Sequence, residues 1–505
     1  MKSEYLERIL KARVYDVAIE SPLEPAARLS RRLHNHVLFK REDLQPVFSF
    51  KLRGANNRIA NLTAEEAARG VICASAGNHA QGVALSARRR GIPALIVMPR
   101  TTPEIKVQAV RDLGGEIELV GDDYDAACEH ALSVARERGL TFIHPFDDPD
   151  VIAGQGTIAV EILRQHTGPI DAVFVPIGGG GLIAGIASYI KALYPQIRIV
   201  GVEPEDAASM HDSLLAGQRV TLERVGIFAD GVAVKRVGAE TFRLAQKYVD
   251  EVVLVTTDQI CAAIQDIFED TRSIAEPAGA LGVAGLKKWV AREGARGKTL
   301  VTINCGANMN FDRLRHVAER ADLGQQREAL FAVQIPEQPG SFLRFCQMVG
   351  MRNVTEFNYR YTDARAARIF VGLALAGGVA EKDEVRMAIA AAGFPVVDMS
   401  DNEVAKLHVR YMVGGHAQGL QHERLFRFEF PERPGALLRF LTAVGDRWNI
   451  SLFHYRNHGS DYGRVLTGIQ VPPPSEADFL DHLGELGFNF VEETMNPACR
   501  MFLGG

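Results

Sequence analysis

No apolar run in the 505 residues approaches the roughly 18 that a membrane span needs. The opening stretch, MKSEYLERILKARVYDVAIE, mixes acids with bases and lacks the basic end and apolar core of a targeting leader, so a cytoplasmic location is expected. Cysteine is scarce. The six residues Cys73, Cys128, Cys261, Cys305, Cys346 and Cys499 are far apart, with no C-x-x-C pair, so neither a disulfide framework nor a metal site is indicated. A basic excess is missing as well: the net charge of -5 gives no electrostatic case for nucleic acid or an anionic membrane as partner. With 47% hydrophobic and 24% charged residues, and glycine and proline without a period, the chain reads as globular, and its length implies about two to four domains.

What is present falls into two textures. Up to about residue 320, short β-branched runs alternate with longer helical patterns: residues 70–75, 94–98, 117–120, 172–176, 198–202 and 299–303 are the expected strands. Such alternation predicts parallel strands covered by helices, with function in the loops after the strands. From about residue 329 the pattern changes to a repeat. LFAVQIPEQPGSFLRF at 330–345 matches LFRFEFPERPGALLRF at 425–440, and VTEFNYR at 354–360 matches ISLFHYR at 450–456. Each copy reads strand, Pro-x-x-Pro-Gly turn, helix, strand, strand, helix, strand, the βαββαβ ferredoxin-like order. The expected domains are 1–320, 329–410 and 424–505, with a polar connector at 321–328 and a linker at 413–423. Two small sheet domains after a large α/β body suit regulation or assembly better than catalysis.

The strongest chemical signal in the first part is PIGGGGL at 176–182, between an apolar run and a helical pattern. Four glycines let the backbone turn tightly and aim several N–H groups at one anion, with a phosphate as the natural occupant. The same run allows a rival: Gly179, Gly181 and Ala184 fit the dinucleotide spacing, and Glu203 follows the next strand, as in a nicotinamide oxidoreductase. Position weakens it, because several strand–helix units precede the motif. A second loop, SAGNHAQG at 75–82, stands at another strand end, where Ser75 or Asn78 suits a helix cap and the exposed N–H groups suit a carboxylate or phenolate oxygen. Earlier still, SFKLRGA at 49–55 sets Lys51 between an apolar segment and a helix that carries Arg53.

Taken in order, SFKLRGA, SAGNHAQG, PIGGGGL, AEPAGALG (275–282) and NCGANMNF (304–311) resemble the threonine dehydratase group of the fold-type II pyridoxal-phosphate enzymes. The doubled C-terminal unit is similar to the paired ACT-like regulatory domains of the biosynthetic threonine deaminases. The resemblance covers the whole chain and implies an α/β catalytic domain of the tryptophan synthase β type followed by two ferredoxin-like subdomains.

It also implies roles. Lys51 becomes the amine that holds pyridoxal 5'-phosphate, with Phe50 beside it, and Gly178, Gly179, Gly180, Gly181 and Leu182 hold the cofactor phosphate. Asn78 bonds the ring hydroxyl oxygen, while Ser75, Gly77 and His79 take the substrate carboxylate. Cys305 faces the pyridine nitrogen, where many relatives carry serine; either is a weak neutral partner, which favours rapid loss of a β-substituent. Serine racemases of this group carry a second serine where this chain has Ala76, so elimination is favoured over racemisation. Glu276 either orients the pocket, ligates a monovalent cation or belongs to a structural turn.

The implied reaction is deamination of threonine to 2-oxobutanoate and ammonia at the head of isoleucine synthesis, inhibited by isoleucine and relieved by valine, in a homotetramer. A catabolic dehydratase, or one that prefers serine, is the near alternative, and the doubled C-terminal unit speaks against it. For the effector site the repeat offers the equivalent pair Tyr359 and Tyr455, and Arg352 for a carboxylate. Glu337 with Glu432, and Gly340 with Gly435, are further equivalents.

Overall fold

The β-branched runs assemble into two sheets within the first of two units into which the chain divides, Met1–Ala321 and Asp322–Gly505. The computed structural model describes residues 4–336, 345, 348, 354–360, 366–411, 422–431, 450–456, 462–485 and 487–503.

In the first unit the strands are β1 (Leu23–Pro25), β2 (His36–Arg41), β3 (Val71–Ala74), β4 (Ala94–Met98), β5 (Glu116–Leu119), β6 (Thr141–Phe142), β7 (Ala172–Pro176), β8 (Arg198–Pro204), β9 (Glu251–Val255) and β10 (Thr299–Asn304). The larger sheet has the order β1-β2-β10-β7-β8-β9 and the smaller β5-β4-β3-β6. Every pairing is parallel except β1 with β2, an antiparallel edge that ends at a proline. Parallel strands covered on both faces must be apolar throughout, and β3, β4 and β7 are buried at every residue.

The larger sheet is sandwiched between two cores. On one side lie the helices Pro149–Gln165 and Gly181–Leu193 with Ile152, Ile158, Ile183 and Ile186. On the other lie Thr257–Thr271 and Pro277–Glu293 with Ile260, Ile264, Leu281 and Trp289. The helices start where the sequence signals them. Asp148 accepts from Asp150 N and Val151 N with Pro149 at the first helical position, and Thr256 forms a reciprocal capping box with Gln259. As a result the loops after β2, β3, β7 and β10 all leave carboxyl ends of strands, where open parallel sheets hold ligands.

The second unit contains β11 (Glu328–Pro336), β12 (Val354–Arg360), β13 (Ala366–Ala374) and β14 (Val396–Asp398), then β15 (Glu423–Pro431), β16 (Ile450–Arg456), β17 (Tyr462–Gln470) and β18 (Asn489–Glu492). Their orders, β12-β13-β11-β14 and β16-β17-β15-β18, are the same antiparallel ferredoxin-like arrangement twice. Helices Gly378–Ala391 and Glu476–Glu485 occupy equivalent places before the last strand of each copy. The copies share one core, with Leu330 and Phe370 from one and Leu425, Leu466 and Phe502 from the other. Their closing turns also meet: Asn402 caps the helix Glu403–Leu407, Asn496 caps Pro497–Phe502, and Asn402 Nδ2 donates to Asn496 Oδ1 at 3.2 Å. The expected polar connector is helical over its first half, because the helix Arg313–Gly324 runs into it. The linker expected at 413–423 lies almost wholly outside the described residues.

Candidate active site

Lys51 opens the helix Lys51–Ala60, and its chain segment is tied to the loop after β10: Phe50 N donates to Cys305 O at 3.3 Å, and Ser49 bridges Gly306. Lys51 Nζ donates to Pro145 O at 3.4 Å and stands 5.5 Å from the Phe50 ring. Burial drives its pKa down from 10.5 to about 8, against the pull of Cys305 and Glu276. A half-buried lysine of this kind is a nucleophile and a base at neutral pH.

One cleft joins Lys51 and Phe50 to Asn78, the run Gly178–Leu182, Glu276 and Cys305. The glycine run is closely packed. A Cβ at Gly179 would lie 2.2 Å from the Phe146 ring, one at Gly178 would lie 3.0 Å from Val232 Cα, and Gly180 holds a left-handed φ of 95° that favours glycine. Thr241 Oγ1 donates to Gly179 O at 2.7 Å and steadies the turn. Among the described residues no acceptor meets the backbone N–H groups of Gly178 to Leu182, and the helix Gly181–Leu193 stands behind them. This cradle fits a phosphate on two counts, unfilled donors and space that any side chain would fill.

Asn78 is held from both sides. Its Nδ2 donates to Glu276 Oε1 at 2.6 Å, and its Oδ1 accepts from Asn308 Nδ2 at 2.6 Å. Neither Ser75 nor Asn78 caps the helix Asn78–Arg89, whose N-cap is Gly77 without a side-chain bond, and Ser75 Oγ instead accepts from Gly77 N at 3.2 Å. That side-chain arrangement leaves the N–H groups of Ala76, Asn78 and His79 without acceptors among the described residues. A Cβ at Gly77 would meet nothing within 4 Å, so the loop faces open space.

The side chain of His79 is turned to the core. It is buried, its Nε2 pairs with Ile143 O at 2.9 Å, and burial first, then the charge of Lys51, brings its pKa down to about 3. Ser75, Gly77 and His79 therefore stand beside the cleft lining rather than in it.

Cys305 is buried with Sγ 3.4 Å from Ala278 O, and burial pushes its thiol well above the ordinary range, so it is a neutral group where it lines the cleft. Glu276 is also buried, and burial, then the charge of Asp230, raises its carboxyl to about 7. Asp230 itself is held anionic by Lys106 at 3.0 Å and Arg313 at 3.3 Å. Gln155, Phe146, Pro145 and Val232 also line the cleft. None of the four is singled out in the sequence, where only the adjacent Pro145 and Phe146 after β6 leave a local mark. Among the described residues no group of three or more His, Cys, Asp or Glu is placed to hold a metal ion.

The dinucleotide rival loses its carboxylate. Glu203 is fully buried and accepts from Met210 N and His211 N, both at 2.8 Å, so its oxygens cap the helix Ser209–Ala216 and are not offered to a ribose. In the second unit, Tyr359 pairs with Ile369 and Tyr455 with Val465, equivalent register positions of the two copies. Arg352, Glu337, Glu432, Gly340 and Gly435 lie outside the described residues.

Comparison with known proteins agrees with this geometry. A family model described as pyridoxal-phosphate dependent enzyme matches residues 14–306, and the C-terminal regulatory domain of threonine dehydratase matches 319–409 and 414–503. The biosynthetic L-threonine dehydratase IlvA of Burkholderia multivorans is 60% identical over 503 residues, covering 99% of both chains. The chain belongs to the biosynthetic threonine dehydratase family. The Escherichia coli protein of the same name is 56% identical, over 100% of this chain and 98% of its own. Among solved structures of this family, processed threonine deaminase isoform 2 from Solanum lycopersicum is 53% identical with a TM-score of 0.63, over 63% of this chain and 88% of that one. Family membership makes the chain a fold-type II pyridoxal-phosphate dependent enzyme with two C-terminal regulatory domains. Among the described residues no helix is long and apolar enough to cross a membrane.

Proposed function

We propose that this chain catalyses the pyridoxal-phosphate dependent deamination of L-threonine to 2-oxobutanoate and ammonia, the first step of isoleucine biosynthesis, under feedback inhibition by isoleucine. The observation that carries the reading is one cleft that unites an amine of lowered pKa with a four-glycine turn of unfilled N–H donors, in a chain 60% identical from end to end to a biosynthetic threonine dehydratase.

In this reading Lys51 would hold the cofactor, the N–H groups of Gly178, Gly179, Gly180, Gly181 and Leu182 would take its phosphate, and Asn78 would hold its ring oxygen with the Nδ2 hydrogen that Glu276 does not use. Cys305 and Phe50 would complete the ring's surroundings. When bound, the cofactor supplies an electron sink next to the substrate Cα.

The remaining work belongs to the chain. The open SAGNHAQG loop, with Ser75, Gly77 and the N–H groups of Ala76, Asn78 and His79, anchors the substrate carboxylate; His79 contributes its backbone, since its ring is turned to Ile143 O. Lys51 Nζ removes the Cα proton, for which a pKa of about 8 suits a base at neutral pH. The β-hydroxyl departs as water, taking up the proton that Lys51 Nζ has removed, and water hydrolyses the released enamine to 2-oxobutanoate and ammonia. Cys305 would offer the cofactor ring a neutral thiol rather than a carboxylate, the weak partner that suits prompt elimination.

The division of labour follows the division of the chain: the region up to 320 catalyses, and 329–410 and 424–505 sense isoleucine and valine, with Tyr359 and Tyr455 as candidate effector contacts. We place the enzyme in the cytoplasm as a homotetramer, acting on threonine with serine as a second substrate. Two experiments test the reading. Lys51→Ala should abolish both the yellow absorbance of the purified protein and turnover; retention of both would sink it. A chain ended near residue 325 should bind the cofactor and ignore isoleucine, and unchanged inhibition would refute the assignment of regulation to the second unit.

A further inference from the structure

Arg53 lies two residues beyond Lys51, about 200° around the same helix, so the two side chains leave opposite faces. Its guanidinium has no exposed surface and every N–H is used. Nε and Nη2 each donate to Glu42 at 2.8 Å, Nη1 donates to Glu161 at 2.6 Å and to Thr157 at 3.1 Å, and Nη2 also reaches Ile19 O at 3.1 Å. Lys40, equally buried, donates to Glu161 at 2.6 Å. Two cations and two carboxylates thus cancel inside the core. Burial first lowers the Lys51 amine, with Cys305 and Glu276 opposing it, while the Arg53 guanidinium is spent on its own carboxylates.

Glu161 and Thr157 sit on the helix Pro149–Gln165, which crosses the Lys51 helix backbone to backbone. A Cβ at Gly154 would lie 2.7 Å from both Arg53 O and Gly54 Cα, and one at Gly54 would lie 2.7 Å from Val151 O. The same crossing helix delivers Gln155 to the cleft lining, two residues before Thr157. Where glycine meets glycine no side chain interdigitates to fix the register, and the planar fork bonded to Glu161 and Thr157 of the crossing helix supplies that constraint.

We propose that Arg53 is a positioning residue: its fork locks the helix that begins at Lys51 against the helix Pro149–Gln165 and so sets where Lys51 Nζ stands in the cleft. The inference rests on the reading of Lys51 as the cofactor-bearing amine.

The test compares the holoenzyme with Arg53→Lys, which keeps the charge and loses the fork, and with Thr157→Val, which removes one acceptor and leaves every carboxylate paired. Four measurements are made: peptide mapping after borohydride reduction, visible circular dichroism per bound cofactor, kcat with KM, and the pH profile. Label should remain on Lys51 in all three proteins. Arg53→Lys should lower kcat by about ten- to a hundredfold with KM within about twofold, as expected for a misplaced reacting group. It should also at least halve the dichroic band and leave the pH profile in place. Thr157→Val should lower kcat about threefold and shrink the band in the same direction, and it decides the matter if Arg53→Lys does not fold. Label on Lys51 with unchanged kcat and dichroism, even at a lower melting temperature, overturns the inference and makes Arg53 merely structural. Label absent from Lys51 in the unaltered enzyme refutes the cofactor reading, and this inference with it.

Discussion

The lowered pKa of Lys51 makes cofactor loading the most direct test of its setting. An ordinary lysine, at 10.5, is neutral in about one molecule in 3,000 at pH 7, whereas one at about 8 is neutral in about one in ten. Since only the neutral amine attacks an aldehyde, apoenzyme at pH 7 offers about 300 times the reactive fraction of a free alkyl amine and should load pyridoxal phosphate faster than that amine does. The pH dependence is equally specific. Between about pH 6 and 7 the second-order rate constant should climb about tenfold, bend near pH 8 and stay level above about pH 9. Stopped-flow visible absorbance on mixing apoenzyme with cofactor reads this directly, with butylamine as reference to remove the cofactor's own titration. A rate constant that keeps climbing past about pH 10, in step with butylamine, would refute the argument that burial dominates the amine.

Three further outcomes are expected. Gly180→Ala puts a side chain at φ 95° and within 2.8 Å of Met210 Cε; a left-handed residue costs about 1–2 kcal/mol, so equilibrium titration should show cofactor affinity about five- to thirtyfold weaker. The carboxyl of Glu276, raised from 4.5 to about 7, adds stability that is fully present below its ordinary value and is lost as pH rises through about 7, at about 3 kcal/mol in all. Glu276→Gln should therefore gain on the parent apoenzyme in thermal melts at pH 8 relative to pH 5, and an equal difference at both would contradict the assignment. Asn402→Ala removes a helix cap and its bond to Asn496, so the second unit should lose about 1 kcal/mol in denaturant melts while turnover without effector is unchanged.

The strands read from the sequence, such as Val71–Ala74 and Ala172–Pro176, were legible because parallel strands buried on both faces are written as unbroken apolar runs. His36–Arg41 was not, since its closing Lys40 and Arg41 look like surface charge; both are buried because Glu161 and Asp43 pair with them. Partners 121 residues apart leave no local mark. Leu23–Pro25 and Thr141–Phe142 are too short to show any period. The site was legible where its chemistry is local, as in the four glycines of the turn, and illegible where it depends on which way a side chain faces. His79 stood in the right motif with its ring turned to the core, and Glu203 fitted the ribose spacing while its oxygens capped a helix.

The meeting of Asn402 with Asn496, over a core drawn from both copies, bears on how a doubled regulatory domain arises. In a single-copy ancestor the same self-complementary contact would join two chains, with identical halves and a stability set by concentration. Fusion makes the contact unimolecular, worth an effective concentration in the millimolar range that dilution cannot reduce. It also frees the halves from identity. Mutations in one copy no longer appear in the other, so one half can keep a surface or pocket while its twin drifts away from it.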